Sequence, residues 1–424
     1  MGLKATEVFM PGGYPQHTYV MREAEGLESA LRDSVNTPGQ VVSLSGPSKS
    51  GKTVLVERVV GRDSLITISG ASLRSADDIW ERVLDRLDVP HTTSRTRTVG
   101  ATVGTEAAAK GGLEMKFLAK AEVGGTAKAE VSGESGTESV AQRRGLQQVV
   151  DEIGNSDYVV LIDDFHYMDR AVQVEVAKAL KEAVRLGVKI VTAAVTHRGD
   201  DVVRANPELR GRVRAIDLGY WSKEDLRVIA DTGFSLLNAE IKGNAIDRFI
   251  EESAGSPQLM QLLCLHACFV LEVREHTVLK KTVSVDDALL AKIFEQASTT
   301  TDFRSLVDVL DAGPRVRGIE RKTYKFHDGT EGDVYRAVLK AIASPPPRLS
   351  FPYEELFERT ERVCSGEFPV GSSVTGTCLH MSRLAQEKFP EERAVDWDEQ
   401  KQVFDIPDPY LLFYLRWSNR LRES

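Results

Sequence analysis

The sequence lacks the features that mark secreted, membrane-spanning and nucleic-acid-coating proteins. Only four of its 424 residues are cysteines, and no two of them form a C-x-x-C pair, so neither a disulfide framework nor a zinc finger is expected. No apolar run approaches the ~18–20 residues that span a bilayer, and the N-terminus has no charged-then-apolar signal pattern. The net charge of −9 opposes a surface that coats nucleic acid throughout, although it leaves room for a local basic patch. We therefore expect a cytoplasmic protein without an integral membrane segment.

Histidines are also few. The sequence has only eight histidines, and it carries no nuclease, protease or TIR signature. What remains is an ordinary globular composition, with 42% hydrophobic and 28% charged residues. The length allows two or three domains. Any effector activity is therefore expected to come from a partner protein.

A glycine-rich stretch between an apolar strand and a helix is the most specific motif in the chain. Residues 46–53 read G-P-S-K-S-G-K-T and fit G-x-x-x-x-G-K-[ST] at every fixed position. The glycines let the backbone wrap a phosphate, and the N–H groups of the loop and of the following helix point at the anion. We expect Lys52 to reach the β- and γ-phosphates of a nucleotide and Thr53 to complete a Mg²⁺ shell; the alternative is a chance glycine loop. The predicted phosphate-binding residues are Gly46, Pro47, Ser48, Lys49, Ser50, Gly51, Lys52, Thr53 and Val54.

Two carboxylates follow a second apolar strand about 110 residues further on. Residues 158–162 form a continuous apolar run, as a central strand buried on both faces does, and Asp163 and Asp164 come directly after it. Carboxylates at the C-terminal end of such a strand lie where open α/β sheets bind ligands. We expect Asp163 to hold Mg²⁺ through water and Asp164 to orient or deprotonate the attacking water.

These motifs resemble those of prokaryotic AAA+ and STAND ATPases of the origin-recognition and archaeal-ATPase branches. Residues 19–27 are similar to the G-R-E-x-E-L box of that family, with Met21 in place of its usual glycine. Residues 165–169 continue the family pattern after the two aspartates, and residues 255–257 fit its G-x-P lid motif. The resemblance implies ATP and Mg²⁺ as cofactors. It also implies an α/β P-loop fold with a parallel sheet, a helical lid and a C-terminal winged-helix domain.

The same resemblance suggests contacts for the base. Tyr19 and Val20 would lie beside the adenine, in the segment that leads into a helix predicted over residues 22–35. The alternative is that this segment is a plain packing helix without contact to the nucleotide. Pro257 would pack near the adenine from the side of the lid.

Two further positions would act on the γ-phosphate. Thr196 or His197, which end a third apolar strand, would fill the sensor position, and the alternative is a strand-terminal turn. Residues 206–213 match the pattern p-E-L-x-x-R, in which an arginine finger reaches the nucleotide of a neighbouring subunit. Arg212 fits that finger best and Arg210 second, while a surface ion-pair arginine is the alternative. An arginine supplied in trans makes hydrolysis conditional on assembly, so a homo-oligomer is expected.

Residues 92–139 differ in composition from everything around them, because Gly, Ala, Thr, Lys and Glu dominate. Apolar residues alternate over 113–123 and again over 127–131, on either side of Gly124 and Gly125, which indicates a β-hairpin. A disordered low-complexity linker is the alternative. The alanine-rich face is too small for a core of its own. An ordered hairpin would therefore pack on another subunit, a partner or a bound polymer.

The C-terminal third contains the most basic short stretch of the chain. Residues 313–325 carry five cations with Tyr324 between them. They would contact nucleic-acid phosphates, or else form a solvated or internally ion-paired loop. The five cations are Arg315, Arg317, Arg321, Lys322 and Lys325.

A winged helix is predicted over the rest of this third. Its pattern is three helices followed by a hairpin, although the third helix is poor in cations near its start, where Gly371 and two serines are expected to form the cap. The aromatic tail over residues 406–417 is expected to be a docking helix or an interface. The predicted helices cover residues 333–343, 353–363 and 372–389, and the predicted hairpin strands cover 395–398 and 402–406.

Three domains and one main function follow from these patterns. We expect a P-loop ATPase core over residues 1–220, a helical lid over 221–300 and a winged helix over 301–424. The main prediction is an ATP-binding and ATP-hydrolysing switch whose nucleotide state controls assembly and a protein effector, in prokaryotic antiviral defence. The alternative is a DNA-binding AAA+ ATPase of replication-initiation or transposition type. A third class is a nucleotide-dependent scaffold with little turnover.

Overall fold

The fold is taken from a computed structural model of the chain. It describes residues 2–89, 136–195, 201–314, 321–390 and 394–421. Most of the predicted insertion, the predicted sensor residues Thr196 and His197, and two of the five basic residues, Arg315 and Arg317, lie outside the described residues. Within the described ranges, no helix combines the length and the apolar character that crossing a bilayer demands.

A five-stranded parallel sheet forms the centre of the N-terminal half. The order of its strands is β2-β3-β4-β1-β5, and every pairing is parallel. The first four residues of both β1 and β3 are buried, which is why these strands appear in the sequence as continuous apolar runs. The strands are β1 (Val41–Ser45), β2 (Leu65–Ser69), β3 (Val159–Asp163), β4 (Lys189–Ala194) and β5 (Val213–Asp217).

Helices cover both faces of this sheet. One face packs against α2 and α3, and the other packs against α4, α5 and α6. Alternate residues of β3 explain the two layers, because Val159 and Leu161 belong to the first core and Val160 and Ile162 to the second. The helices up to this point in the chain are α1 (Ala5–Val8), α2 (Leu27–Val35), α3 (Lys52–Val60), α4 (Asp77–Arg86), α5 (Gly136–Ile153), α6 (Arg170–Arg185) and α7 (Asp201–Ala205).

The helix predicted over residues 22–35 was wrong in its first third. A short 3₁₀ turn over Glu23–Glu25 comes first, and α2 begins at Leu27. Gly26 separates the two with a left-handed φ of 60°, a conformation that glycine adopts without a steric penalty. The end of the predicted insertion also differs, since residues 136–139 already belong to α5.

A helical lid follows the sheet and has its own core. Ser222 caps its first helix by accepting a hydrogen bond from Asp225 N at 3.0 Å. The N-terminal segment packs in this core rather than on the sheet: the Phe9 ring lies 5.2 Å from Phe234. The lid elements are α8 (Lys223–Leu236), β6 (Ala239–Lys242), α9 (Ala245–Glu252), α10 (Pro257–Val270), β7 (Lys281–Ser284) and α11 (Asp287–Ser298).

The C-terminal third has the element order of a winged helix, which confirms the predicted fold class. Three of its described strands pair antiparallel in the order β10-β12-β11, and β8 pairs antiparallel with β9; β10 was not predicted. The predicted cap of α15 was wrong, because Gly371 already lies in the helix and Val370 occupies the N-cap. The elements are α12 (Arg304–Ala312), β8 (Tyr324–Lys325), β9 (Glu331–Gly332), α13 (Val334–Ala343), β10 (Ser350–Pro352), α14 (Tyr353–Val363), α15 (Gly371–Lys388), β11 (Asp396–Asp398), β12 (Val403–Asp405) and α16 (Pro409–Trp417).

The last helix, α16, joins the lid to the winged helix. Tyr410 and Phe413 are buried in the lid core, whereas Leu411, Leu412 and Leu415 are buried in the winged-helix core. The aromatic tail is therefore a docking helix within the chain. The predicted domain boundaries stay predictions.

Candidate nucleotide-binding site

The glycine-rich loop connects the C-terminal end of β1 to the start of α3. Gly46 has no room for a side chain, because a Cβ atom there would lie 2.5 Å from the Leu218 carbonyl oxygen. Gly51 has a φ of 93°, which is strained for any residue with a Cβ atom. Both fixed glycines of the motif therefore have a structural reason to be glycine. Lys49 also adopts a positive φ, of 62°, so the loop curls tightly before the helix begins.

The interior of the loop fits a phosphate. The Ser50 side chain is buried, and its hydroxyl has no hydrogen-bond partner among the described residues. A buried polar group without a partner destabilises a fold by about 1–3 kcal/mol, so such groups are rare outside binding sites. A phosphate oxygen would satisfy this hydroxyl, and the N-terminus of α3 would supply the N–H groups and the favourable dipole.

Lys52 is the first residue of α3, and its side chain folds back over the loop. Its Nζ donates hydrogen bonds to the carbonyl oxygens of Gly46 at 3.0 Å and Pro47 at 2.8 Å. Burial lowers the pKa of Lys52 from 10.5 to about 8, and the nearby carboxylates of Asp163 and Asp164 act in the opposite direction. The positive charge of the Lys52 ammonium group is thus not fully balanced by its present surroundings, and a bound phosphate would balance it.

The predicted metal ligands meet at the sheet edge. Thr53 Oγ1 donates a hydrogen bond to Asp163 Oδ2 at 2.6 Å, although the two residues are 110 positions apart. The other carboxylate oxygen of Asp163 accepts from the backbone N–H of Asp164 at 2.9 Å. A hydroxyl and a carboxylate are hard oxygen donors of the type that Mg²⁺ takes together with water and phosphate oxygens. The donor set therefore fits Mg²⁺.

Asp164 lies next to this pair in a left-handed conformation, with φ of 56°. Burial raises the pKa of Asp164, the neighbouring Asp163 carboxylate raises it further, and Lys52 and Lys49 lower it. Gly70 at the end of β2 makes room for this turn, because a Cβ atom there would lie 2.6 Å from the Asp164 carbonyl oxygen. A carboxylate with a raised pKa beside a phosphate site is suited to accept a proton.

The cleft continues from the loop toward the N-terminal segment and the lid. It has a volume of about 440 Å³, within the usual size range of ligand sites. Tyr19, Val20 and Pro257, the predicted base contacts, all line it. The Tyr19 hydroxyl donates to Glu28 Oε1 at 2.7 Å, and burial together with this carboxylate raises the pKa of Tyr19. The base and phosphate ends of the predicted site thus share one cleft.

Comparison with known proteins supports the fold and leaves the function open. No family model matches the sequence, and no curated protein matches it. Among solved structures, a Walker-type ATPase of Pyrococcus abyssi is similar with a TM-score of 0.50 and 13% identity, over 95% of this chain and 99% of that chain. This chain has the fold of a Walker-type ATPase.

Two further structures are similar along nearly the whole chain. Cdc6p from Pyrobaculum aerophilum matches with a TM-score of 0.44 and 14% identity, over 100% of this chain and 99% of that chain. The ORC2 protein of Aeropyrum pernix, solved as ADPNP-ADP complexes, matches with a TM-score of 0.47 and 14% identity over the same shares.

Two residues that line the cleft, Trp221 and Gln261, were not predicted from the sequence. Trp221 contacts the phosphate loop by donating from Nε1 to the Ser50 carbonyl oxygen at 2.9 Å. Gln261 on α10 accepts from Met10 N at 3.2 Å and donates to Thr18 Oγ1 at 2.7 Å, which ties the lid to the N-terminal segment. Neither has a sequence signal, because each contact joins residues more than 170 positions apart.

Arg212 lies far from the phosphate loop of its own chain. It precedes β5, and its carbonyl oxygen accepts a hydrogen bond from Val41 N at the start of β1. All of β1, which rises about 3.3 Å per residue, separates that end of the sheet from the loop. Arg212 and Arg210 are both exposed. This position suits an action on a neighbouring subunit, which stays a prediction.

The described part of the basic stretch is paired within the chain. Arg321 donates to Asp333 at 2.7 Å and lies over the Tyr335 ring at 4.5 Å. Lys322 pairs with Glu367 at 2.6 Å, and Lys325 pairs with Glu331 at 3.6 Å. These three cations therefore match the alternative that the sequence left open, an internally ion-paired loop. The predicted contacts of all five cations with nucleic acid stay untested.

Proposed function

We propose that this protein is a Mg²⁺-dependent ATPase that works as a molecular switch. The observation that carries the proposal is the 2.6 Å contact between Thr53 Oγ1 and Asp163 Oδ2. It joins the helix after the phosphate loop to the carboxylate at the end of β3, and these two side chains would hold a Mg²⁺ beside bound phosphates. The unpartnered Ser50 hydroxyl and the poorly compensated Lys52 support an anion between these elements.

Each residue of the site has one role in this proposal. Lys52 binds the phosphates, Thr53 and Asp163 hold Mg²⁺, and Asp164 orients a water and accepts its proton. When bound, Mg²⁺ neutralises the charge that develops on the phosphate oxygens. Burial favours the neutral form of Asp164, so its basicity is higher than that of an exposed carboxylate.

The lid and the winged helix give the switch its output. Ser256 at the start of α10 donates to the Lys49 carbonyl oxygen at 3.4 Å, so the lid contacts the phosphate loop directly. Four residues earlier, at the end of α9, Glu252 accepts from Arg416 of α16 at 2.8 Å through both of its oxygens. A change of the loop on nucleotide binding is therefore passed to the lid and from there to the winged helix.

Phosphate release tests the proposal. Wild-type protein with ATP and Mg²⁺ should turn over, and Asp164→Asn should lower kcat by about 10²–10⁴-fold, the usual contribution of a positioned acid or base. Asp169→Asn, the same change five residues away, is the matched control and should leave the rate unchanged. Equal rates of wild type and Asp164→Asn would contradict the enzymatic proposal and favour a scaffold with little turnover.

Assembly is a separate part of the proposal. A homo-oligomer that forms with nucleotide would let Arg212 act on a neighbour, and its exposure supports that role. Mass photometry with and without a non-hydrolysable ATP analogue tests it. A strictly monomeric protein under both conditions would remove Arg212 from the mechanism.

A DNA-binding ATPase of replication-initiation or transposition type is the second candidate. The winged-helix order of elements favours it, with α15 in the place of a recognition helix. The charge of this region does not favour DNA binding. Residues 301–424 contain 18 Lys and Arg against 21 Asp and Glu, and the first twelve residues of α15 contain no Lys or Arg. DNA binding that weakens with salt and is lost on Arg315/Arg317/Arg321→Ala would support this candidate. Its absence at ~50 mM salt would count against it.

The comparisons support neither the antiviral role nor the STAND assignment, and neither is proposed.

A further inference from the structure

Trp221 contacts the phosphate loop from the segment that connects the sheet to the lid. Its indole Nε1 donates to the Ser50 carbonyl oxygen at 2.9 Å. Its backbone N–H donates to the Gly255 carbonyl oxygen at 3.2 Å, just before the helix that begins at Pro257. Trp221 is therefore bonded to the loop through its side chain and to the lid through its backbone.

The ring of Trp221 is held in place by Arg22. The Arg22 guanidinium lies 5.0 Å from the ring centroid, within the range of a cation–π contact. Arg22 is itself buried, and it donates to Glu25 at 3.2 Å and to the Gly219 carbonyl oxygen at 3.4 Å. The direction of the indole N–H is thus fixed by a residue of the N-terminal segment rather than by the loop that it contacts.

The contact fixes one peptide group of the phosphate loop. The Ser50 carbonyl and the Gly51 N–H belong to the same planar trans peptide, so they point in opposite directions. A donor that holds the carbonyl toward Trp221 therefore holds the Gly51 N–H away from it. Gly51 has a φ of 93° and no Cβ atom, so little else restricts the rotation of this peptide. Ser256 holds the preceding carbonyl, that of Lys49, from the same lid.

We propose that Trp221 is a positioning residue for the phosphate loop. Its indole N–H holds the Ser50–Gly51 peptide in the orientation that presents the Gly51 N–H to a nucleotide phosphate, and it ties this orientation to the lid. The proposal rests on the proposed nucleotide binding. It adds that phosphate affinity depends on a residue outside the glycine-rich motif.

Trp221→Phe tests the proposal, because phenylalanine keeps an aromatic ring under Arg22 and lacks the N–H donor. We expect ADP and a non-hydrolysable ATP analogue to bind about 3–10-fold more weakly, the effect of losing one hydrogen bond, by isothermal titration calorimetry with Mg²⁺. Tyr220→Phe is the matched control. Tyr220 is 52% exposed on the same segment, and its change should leave the affinity within twofold of wild type.

Fluorescence reports whether nucleotide binds beside Trp221. The emission of Trp221 should change when nucleotide binds, and saturating nucleotide should leave the emission of Trp221→Phe unchanged. The other three tryptophans lie away from the cleft. Trp80 is in the sheet-domain core, Trp397 is in the winged-helix core, and Trp417 is where α16 contacts the lid.

The outcomes separate this proposal from the proposed function. Wild-type protein that binds no nucleotide would overturn both. Wild-type binding with equal affinity in Trp221→Phe would overturn the role of Trp221 alone. If Trp221→Phe fails to fold, β-(3-benzothienyl)alanine at position 221 keeps the bicyclic ring without the N–H. The same 3–10-fold loss is then expected, and unchanged affinity would overturn the proposal.

Discussion

Replacing Glu252 by glutamine should destabilise the contact between the lid and the winged helix. The Glu252 side chain is 1% exposed and faces Arg416, which is 7% exposed. Its two oxygens accept from Arg416 at 2.8 Å each, and one of them also accepts from Trp417 Nε1 at 2.9 Å. Glutamine keeps the shape of the side chain, but its amide NH₂ group replaces one acceptor oxygen. That group then faces the N–H donors of Arg416 and Trp417. Arg416 is then left buried without its counter-charge.

The expected size of this effect follows from burial. Breaking a buried ion pair by removing one partner costs about 3–5 kcal/mol. For a unit of the size of the lid and winged helix together, about 2–4 °C of Tm accompany each kcal/mol, so the transition should fall by about 6–20 °C. Trp417 packs 4.6 Å from the Phe294 ring in the lid, and its fluorescence during heating therefore reports this contact. The sheet domain should unfold as in wild type.

Two comparisons make the result decisive. Glu367→Gln is the same substitution at an exposed ion pair with Lys322 and should leave the transition unchanged, because such pairs contribute little. Arg416→Met should destabilise like Glu252→Gln, and the double variant should lose clearly less than the sum of the two. A shift below 2 °C for Glu252→Gln, or strictly additive losses, would refute the assigned role of this ion pair.

Four further predictions concern the site and the N-terminal segment. Asp163→Asn should lower kcat by about 10²–10³-fold and abolish the effect of Mg²⁺ on ATP affinity, because Thr53 alone cannot hold the metal; unchanged Mg²⁺ dependence by calorimetry would contradict this. ADP affinity should fall up to tenfold per pH unit above pH 8, where the Lys52 side chain of the nucleotide-free protein loses its proton. An ADP affinity that stays constant from pH 7 to 9.5 would contradict the lowered pKa of Lys52. The lowered pKa of Lys52 also makes the free energy of unfolding rise with pH between about 8 and 10.5, because over this range the unfolded chain binds more protons than the folded chain. Gly233→Ala should destabilise the lid by about 1–3 kcal/mol, because its Cβ would lie 2.2 Å from the Phe9 ring; Phe9→Leu in the same chain should restore part of the loss in thermal unfolding.

The site was predictable from the sequence where local patterns decide the geometry. The phosphate loop is a fixed spacing between a strand and a helix, and the paired aspartates end a continuous apolar strand. Because parallel strands end at one edge of the sheet, these two patterns were enough to bring Thr53 and Asp163 together. The fold class followed for the same reason, since the strand and helix signals alternate along the chain.

Contacts between distant segments were not predictable in this way. Phe9 precedes the sheet in the chain, yet it fills the lid core, where Gly233 leaves space for its ring. Trp221 carried no pattern of its own, and its partner is a backbone carbonyl, which has no side-chain signature in the sequence. The helix predicted across Gly26 failed because the apolar spacing of Leu27 and Leu31 was extended over a glycine that adopts a left-handed conformation.

Only a few residues separate the lid residue that contacts the winged helix from the lid residue that contacts the phosphate loop. Glu252 contacts α16, and Ser256, four residues later, contacts the loop at Lys49. Between them, Ala254 and Gly255 both have positive φ, of 47° and 82°, and a non-glycine residue holds such a conformation only when its surroundings enforce it. A tightly specified segment transmits a displacement instead of absorbing it. In the proposed switch, the lid and the winged helix would therefore move together when the phosphate loop changes, although the winged helix begins about 250 residues further along the chain.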